Sequence, residues 1–196
     1  TTGAIYSQDH SAVDGDLYIF GNYSRTSGTE YWSYATDFDG TALIASTSRQ
    51  VDVRVSTSSQ IGLSSASLNM VGGSLASTTI DSQTGAFSLN ATNTTITAEY
   101  FTVTGTDVNG FGLRASTTLS TFRDGYFTVL TSRSGITIDA STVDTNPAAQ
   151  FYRVSFATSS PGAASNVTLS GSPTSFVWFR EGTGGLYGEA FDNGDA

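Results

Sequence analysis

The sequence contains no cysteine and no lysine, and it has one histidine and three prolines among 196 residues. Without cysteine there are no disulfides and no thiol chemistry. Without lysine there are no lysine isopeptide links, Schiff bases or amine nucleophiles. The single histidine, His10, limits any histidine-based triad or metal cluster to its own surroundings, and its acidic neighbour Asp9 adjoins it in sequence, which is not triad geometry. We therefore expect His10 to be a solvated loop residue.

Basic residues are also scarce. Eight arginines face 17 acidic residues, which gives a formal net charge of -9. A surface of this sign repels nucleic acids and anionic membranes, so we expect neither as a partner. No apolar stretch is long enough to span a bilayer. What is abundant is serine and threonine, 59 residues together, and this acidic, hydroxyl-rich composition is typical of an extracellular, cell-surface protein.

Three short apolar and threonine-rich patterns recur in the same order between residues 87 and 156. The first occupies 87–89, 111–113 and 136–138. The second occupies 94–96, 117–119 and 141–143. The third occupies 100–103, 126–129 and, more loosely, 151–156. Self-similarity at a fixed period of 20–50 residues is the sequence signature of a solenoid.

Each repeated element is short, β-branched or aromatic, and alternates between apolar and polar residues, which is the pattern of a half-buried strand. The sequence therefore predicts an all-β fold, a right-handed parallel β-helix with about 25 residues and three strands per coil. Thr117 is predicted to point outward and Leu119 inward. The equivalent inward slots of successive coils predict one continuous core of Phe87, Leu89, Ile96, Val103, Leu113, Leu119, Val129, Ile138 and Val143.

Four regions follow from the same patterns. Residues 1–12 form a polar N-terminal extension that we expect to exchange with a neighbour. Residues 13–60 contain strands that cap or start the solenoid, residues 61–181 form the coils, and residues 182–196 form a glycine-rich acidic tail.

Several segments carry a resemblance: GDLYIFG (15–21), YWSYATDFDGT (31–41), RQVDVRV (49–55), NMVGG (69–73), TTID (78–81) and GEAFDNGDA (188–196). Together they resemble a parallel β-helix repeat module of very large predicted surface proteins from candidate-phylum bacteria. The resemblance implies a surface location and a β-helix fold, and it implies no known chemistry. It also suggests a segment of a longer protein or a subunit that a neighbour completes.

Paired acids near glycine are the candidate metal ligands. Asp14 and Asp16 flank Gly15, and Asp37 and Asp39 precede Gly40. Calcium prefers several oxygen ligands from a flexible loop, but neither pair has the spacing of an EF-hand. We keep these four residues as candidate calcium ligands and expect no other cofactor. Tight turns alone also explain them.

Parallel β-helices also support carbohydrate-binding or carbohydrate-cleaving proteins, such as lyases or tailspike-like fibres, so surface glycans are a second candidate partner. Glycosidase chemistry needs two carboxylates about 5–9.5 Å apart. The candidates on or near turns are Asp107, Asp124, Asp139 and Asp144, with Arg114, Arg123 and Arg133 in range. Because Asp–Gly and Asp–Asn sequences are ordinary turn formers, we favour a structural protein without catalytic residues.

The ends of the solenoid suggest how it would work. An uncovered end exposes unpaired strand edges and apolar core. Phe176, Trp178 and Phe179 are large and apolar and are followed only by the acidic tail, while Ile5 and Tyr6 form an apolar pair in the N-terminal extension. The sequence therefore predicts self-association through the ends, into a surface filament, an S-layer or an adhesin.

Overall fold

The computed structural model describes residues 17–19, 23–25, 28–32, 36–38, 41–45, 51–55, 60–75, 77–82, 85–147, 150–158 and 164–191, and its description of side chains begins at Val53. These residues form a parallel β-solenoid with very little helix. In chain order, the strands are β1 Leu17–Ile19, β2 Tyr23–Arg25, β3 Gly28–Trp32, β4 Thr36–Phe38, β5 Thr41–Ala45, β6 Val51–Val55, β7 Gln60–Ser64, β8 Ser67–Val71, β9 Thr78–Ser82, β10 Phe87–Thr92, β11 Thr95–Thr104, β12 Thr106–Arg114, β13 Thr118–Thr128, β14 Ser134–Asp139, β15 Gln150–Tyr152, β16 Ser155–Ala157, β17 Ser165–Ser170 and β18 Trp178–Arg180. A short helix, α1, spans Ala140–Thr145, and a 3-10 turn spans Glu189–Phe191.

The strands stack into three faces, as the repeat predicted. The first face follows the order β1-β4-β7-β10-β12-β14-β17. The second is built from β2, β5, β8, the first halves of β11 and β13, and then β15 and β18. The third is built from β3, β6, β9, the second halves of β11 and β13, and then β16. Every named strand pairing is parallel, so each coil lays one strand on each face of the coil before it.

One corner of the coil is made by residues in the left-handed region of backbone space. Tyr100, Asp124, Arg153 and Glu181 have φ between 48° and 53°, and they lie where the second face turns into the third in successive coils. None of them is glycine, although this region disfavours residues with a Cβ. The backbone conformation of this corner is therefore repeated from coil to coil while the residue type is not, so the sequence shows no repeated glycine at this position.

The register agrees with the predicted repeat in part. Phe111 lies opposite Ile136, and Ile96 lies opposite Leu119, as predicted. However, Phe111 lies opposite Leu89 rather than Phe87 on its other side, and Val103 lies opposite Phe127 rather than Val129. Both errors are two residues long, and the ladder is irregular between Phe87 and Leu89 and between Ile96 and Thr97.

The predicted core is confirmed with one correction. Eight of the nine predicted residues are at most 3% exposed, and all eight belong to one hydrophobic cluster. Leu119 packs against this cluster but is only partly buried. The interior also contains a stack of phenylalanines, in which Phe122 approaches Phe101 at 5.0 Å and Phe151 at 4.8 Å between ring centroids.

Thr117 was predicted to point outward, and that is wrong. Its side chain is fully buried at the corner between the first and second faces, where its hydroxyl lies 2.7 Å from the carbonyl of Arg114 and 3.0 Å from that of Ala91. Thr94 occupies the same place one coil earlier, with its hydroxyl 3.2 Å from the carbonyl of Leu63. Because a buried corner carbonyl needs a donor, a small hydroxyl side chain turns inward there.

The element at 141–143 was predicted to be a strand, but it lies in α1. The segment still contributes to the interior as predicted, because Val143 is buried and the hydroxyl of Thr142 donates a hydrogen bond to the carbonyl of Ala115. Because α1 forms no strand pairing with β13 at this point, the side chain of Asn146, just after the helix, makes hydrogen bonds to the backbone of the preceding coil instead. Its side-chain oxygen accepts from the amide of Leu119 at 2.7 Å, and its amide group donates to the carbonyl of Thr117 at 2.6 Å.

Candidate assembly surface at the C-terminal coil

The C-terminal coil consists of β17, β18 and the residue Thr183, which makes a parallel bridge to Ser155 of β16. In the described part of the chain, β17 pairs only with β14, and β18 pairs only with β15. Each strand therefore keeps one edge of backbone N–H and C=O groups facing away from the stack. Such an edge is a template for another strand.

The interior of this coil is open. A cavity of about 930 Å³ runs from Ile138, Val143 and Phe151 of the coil before it to the aromatic side chains of the last coil, among them Phe179. Leu186 is fully buried, and Phe191 packs against the core. The described residues do not cover the rest of this apolar space. Soluble solenoids, by contrast, cover their ends with polar capping repeats.

Aromatic residues surround the opening. Phe179 stacks on Phe151 with ring centroids 4.4 Å apart and planes 9° apart, so it continues the interior stack into the last coil. Phe176 is 60% exposed and Trp178 is 45% exposed, and their rings meet edge to face at 5.2 Å. Tyr187 is 55% exposed beside the same cavity. We call Phe176, Trp178, Phe179, Tyr187 and the open cavity the C-terminal surface.

Asp144, on α1, fixes the segment that carries Phe176. Its Oδ1 accepts hydrogen bonds from the amide of Thr174 at 2.7 Å, from the hydroxyl of Thr174 at 3.0 Å and from the amide of Ser175 at 2.9 Å. Loss of solvation acts to raise the pKa of Asp144, but these three hydrogen bonds outweigh it and hold the pKa below its usual value. Asp144 is therefore ionised at neutral pH and holds the segment in place.

Polar side-chain contacts link the last three coils along the outer corner. Arg153 donates from Nε and Nη2 to the two carboxylate oxygens of Asp124, at 2.6 and 2.8 Å. These hydrogen bonds, with a smaller one involving Tyr152, raise the pKa of Arg153 further above its ordinary value. The hydroxyl of Tyr152 donates to Glu181 at 2.8 Å. Bidentate pairing gives orientation as well as energy, so the corner is aligned where the coil ends.

The predicted assembly residues are only partly placed by the structure. Phe176, Trp178 and Phe179 lie together at the C-terminal surface, whereas Ile5 and Tyr6 lie outside the described residues. The sequence did not single out Tyr187 or Asp144 as part of this surface. Tyr187 lies in a glycine-rich segment, after Gly184, Gly185 and Leu186, and the contacts of Asp144 join residues 30 positions apart, so neither leaves a local signal.

The candidate calcium ligands are not brought together by what the structure describes. Asp14, Asp16 and Asp39 lie outside the described residues. Asp37 lies in β4, where its backbone is opposite Tyr18 and Gly62. Among the described residues, no group of three or more histidine, cysteine or acidic side chains is close enough to hold a metal ion.

The acids considered for carbohydrate cleavage each have a structural partner. Asp124 pairs with Arg153, and Asp144 binds Thr174 and Ser175, as above. The carboxylate of Asp139 lies 3.1 Å from a guanidinium nitrogen of Arg114, and Asp107 accepts the amide of Asn109 at 2.8 Å. Of the candidate arginines, Arg123 pairs with Glu99 at 2.6 Å. These contacts give each acid a structural role, either in linking neighbouring coils or in forming a turn.

The fold and these contacts define the class of protein as a parallel β-solenoid. Comparison with protein-family models, curated proteins and solved structures gives no significant match. Within the described residues, no helix has the length and apolar character needed to cross a membrane.

Proposed function

We propose that this chain is a structural module of an extracellular, cell-surface assembly, in which solenoids stack end to end. The observation that carries the proposal is the C-terminal surface, where an apolar interior and the edges of two sheets are left open by the described residues. Burying apolar surface yields roughly 25 cal/mol per Å², so covering this end with another coil is strongly favourable.

The N-terminal coil of a second copy is the occupant that fits best. β1 lies at the opposite edge of the first sheet from β17, and β2 lies at the opposite edge of the second sheet from β18. Since every pairing within the stack is parallel, a second copy in the same orientation would present β1 to β17 and β2 to β18 with the correct strand direction. The three faces would then continue across the junction.

This contact joins two different surfaces, so it does not close on itself by two-fold symmetry. Heterologous contacts generate rings when the rotation closes and open filaments when it does not. Because coils of a solenoid follow one axis, we expect filaments. The acidic, hydroxyl-rich composition supports an extracellular, cell-surface location.

Electron microscopy and sedimentation of the purified chain test the proposal. The double variant Trp178→Glu/Phe176→Glu places two charges at the open end and is expected to abolish filaments while leaving the circular dichroism spectrum unchanged. The matched control is Leu75→Glu, which replaces an apolar side chain that is 99% exposed in a turn away from the end. Filaments that persist in the double variant, or a wild-type chain that stays monomeric at high concentration, would overturn the proposal.

The N-terminal side of the contact can be tested separately. Deletion of residues 1–12 is expected to leave the solenoid folded and to stop assembly, because these residues contain the predicted partner pair Ile5 and Tyr6. If the truncated chain forms the same filaments, the exchange of this segment is refuted and the contact must begin with β1. If a longer version of the chain stays monomeric, its further coils cover the end, and the second copy is not the occupant.

A further inference from the structure

A groove on the outer side of the first sheet reaches the C-terminal coil but opens on the flank of the solenoid rather than into the cavity at its end. It has a volume of about 440 Å³ and lies between residues 108–109 of β12 and the outer sides of β14 and β17. Residues 107–110 bulge out of β12 before the ladder resumes at Phe111, and this bulge forms one wall. Val108, at the top of the wall, is 64% exposed.

The wall is held in place by hydrogen bonds to the groove floor. Thr137 of β14 donates from its hydroxyl to the carbonyl of Asn109 at 2.6 Å, and Arg133 donates to the carbonyl of Thr106. Gly110 has φ +66°, and a Cβ there would lie 2.3 Å from the carbonyl oxygens of Ser134 and Gly135. Only glycine permits this approach, so the wall is close-packed against the floor rather than a loose loop.

Among the described residues, the lining of the groove includes two arginines, Arg114 and Arg133, and no acidic residue, although acids outnumber arginines by 17 to 8 in the sequence. The charge of Arg114 is offset by its ion pair with Asp139. Arg114 is oriented by Asp139 at 3.1 Å and by the side-chain oxygen of Asn90 at 3.4 Å. A guanidinium has five N–H donors, so the described contacts leave both arginines with donors for a ligand.

The rest of the lining is rich in hydroxyl groups. Ser134 and Thr168 face each other at 2.7 Å across neighbouring coils, and Ser132, Ser165 and Ser170 line the same groove. Parallel strands lie about 4.8 Å apart, so these hydroxyls form ranks that repeat along the solenoid axis. The lining residues that the structure describes include no aromatic ring. Binding of a neutral sugar by ring stacking therefore has no support here.

From this combination we propose that the groove binds an acidic polysaccharide, a linear chain of sugars that carry carboxylates. The guanidinium groups of Arg114 and Arg133 bind the carboxylates, since arginine and carboxylate form charge-assisted and often bidentate hydrogen bonds. The ranked serine and threonine hydroxyls bind the sugar hydroxyls. The groove lies on a flank that end-to-end stacking leaves uncovered, so this proposal does not depend on the proposed assembly.

Isothermal titration with an oligomer of galacturonic acid tests the inference, with a neutral galactose oligomer and a polyglutamate peptide of the same length as comparisons. We expect one galacturonate site per groove, with an affinity that falls as salt is added. The neutral oligomer and the peptide should each bind at least about tenfold more weakly, because each lacks one of the two recognition elements.

Variants separate the groove from general charge. Val108→Glu adds a negative charge to an exposed side chain without removing either arginine, and Arg133→Gln removes one of them. Both should weaken galacturonate binding at least about tenfold, as expected for the loss of a charge-assisted hydrogen bond. Arg153→Gln, which removes an arginine at a different corner, is the matched control and should leave binding unchanged. Melting curves check that every variant folds.

Three results would overturn the inference: no galacturonate binding, equal binding of the peptide or the neutral oligomer, or equal loss in the Arg153→Gln control.

Discussion

The coil of residues 87–104 and the C-terminal coil carry the same alternation of apolar and polar residues, yet their burial differs. In β10, Leu89 is 1% exposed and Ala91 is fully buried. In β17, the equivalent inward residues Val167 and Leu169 are only partly buried. The difference lies in the neighbours. A solenoid residue is buried by the coil above and the coil below, so the same pattern yields a core in the middle and a partly exposed apolar surface at the end.

The largest effect should separate two phenylalanines in one stack. Phe122→Ala should reduce the free energy of unfolding by about 3–5 kcal/mol, the usual range for a buried aromatic. Phe179→Ala should reduce it by less than half as much, because no coil of the described residues covers the other side of Phe179. Urea unfolding of both variants, at concentrations where the chain is monomeric, measures the two values. Equal losses would mean that the C-terminal interior is already closed.

A smaller effect should distinguish two adjacent threonines in the buried coils. Thr117→Val removes a hydroxyl that is buried beside two carbonyls, with little change in shape, and should reduce the free energy of unfolding by about 1–3 kcal/mol. Thr118→Val is the control, since Thr118 is exposed, and its effect should stay within about 0.5 kcal/mol of zero. If Thr117→Val leaves the free energy of unfolding unchanged, the corner hydrogen bonds do not contribute to the stability of the coils.

The smallest effect concerns the C-terminal coil and pH. The pKa of Asp144 is lower in the folded chain than its unfolded value of about 3.9. Its hydrogen bonds therefore stabilise the segment fully above that value, and the stabilisation is lost as the pH falls through the folded pKa. Hydrogen exchange of the amides of Thr174 and Ser175, expressed relative to the intrinsic exchange rate at each pH, should accelerate at acidic pH.

The variant Asp144→Ala should show the same fast exchange at neutral pH, with the exchange of β10 unchanged. Asp144→Asn, which retains an acceptor oxygen, should fall between Asp144→Ala and the wild type. If the amide of Thr174 exchanges equally slowly in all three proteins, Asp144 does not hold the segment that carries Phe176.

The core was predictable because strand side chains alternate with a period of two. The register errors at Phe87 and Val103 were each two residues long, and a shift of two leaves every side chain on the same face. The inward residues were thus assigned correctly even where their partners were not. The bulge at 107–110, which shifts the register beside Phe87, has turn-forming residues in Asp107, Asn109 and Gly110, but the size of the shift depends on contacts with other coils.

The corner and the site were less predictable for a related reason. Alternation has no meaning where the chain turns, so Thr117 was assigned to the wrong side. The helix α1 was missed because Ser141, Thr142 and Val143 resemble a strand, and tertiary contacts decide such short segments. At the C-terminal surface, three exposed or half-buried aromatics were found from their size alone. The anchoring role of Asp144 depends on contacts across 30 residues.

The buried threonine corner also couples each coil to the next one. Thr94 donates to Leu63, Thr117 can donate to Ala91, and Thr142 donates to Ala115, so each hydroxyl has an acceptor in the coil before its own. The corner carbonyl of a coil therefore gains its threonine donor when the following coil docks. Neighbouring coils are thus expected to fold and unfold together rather than one at a time.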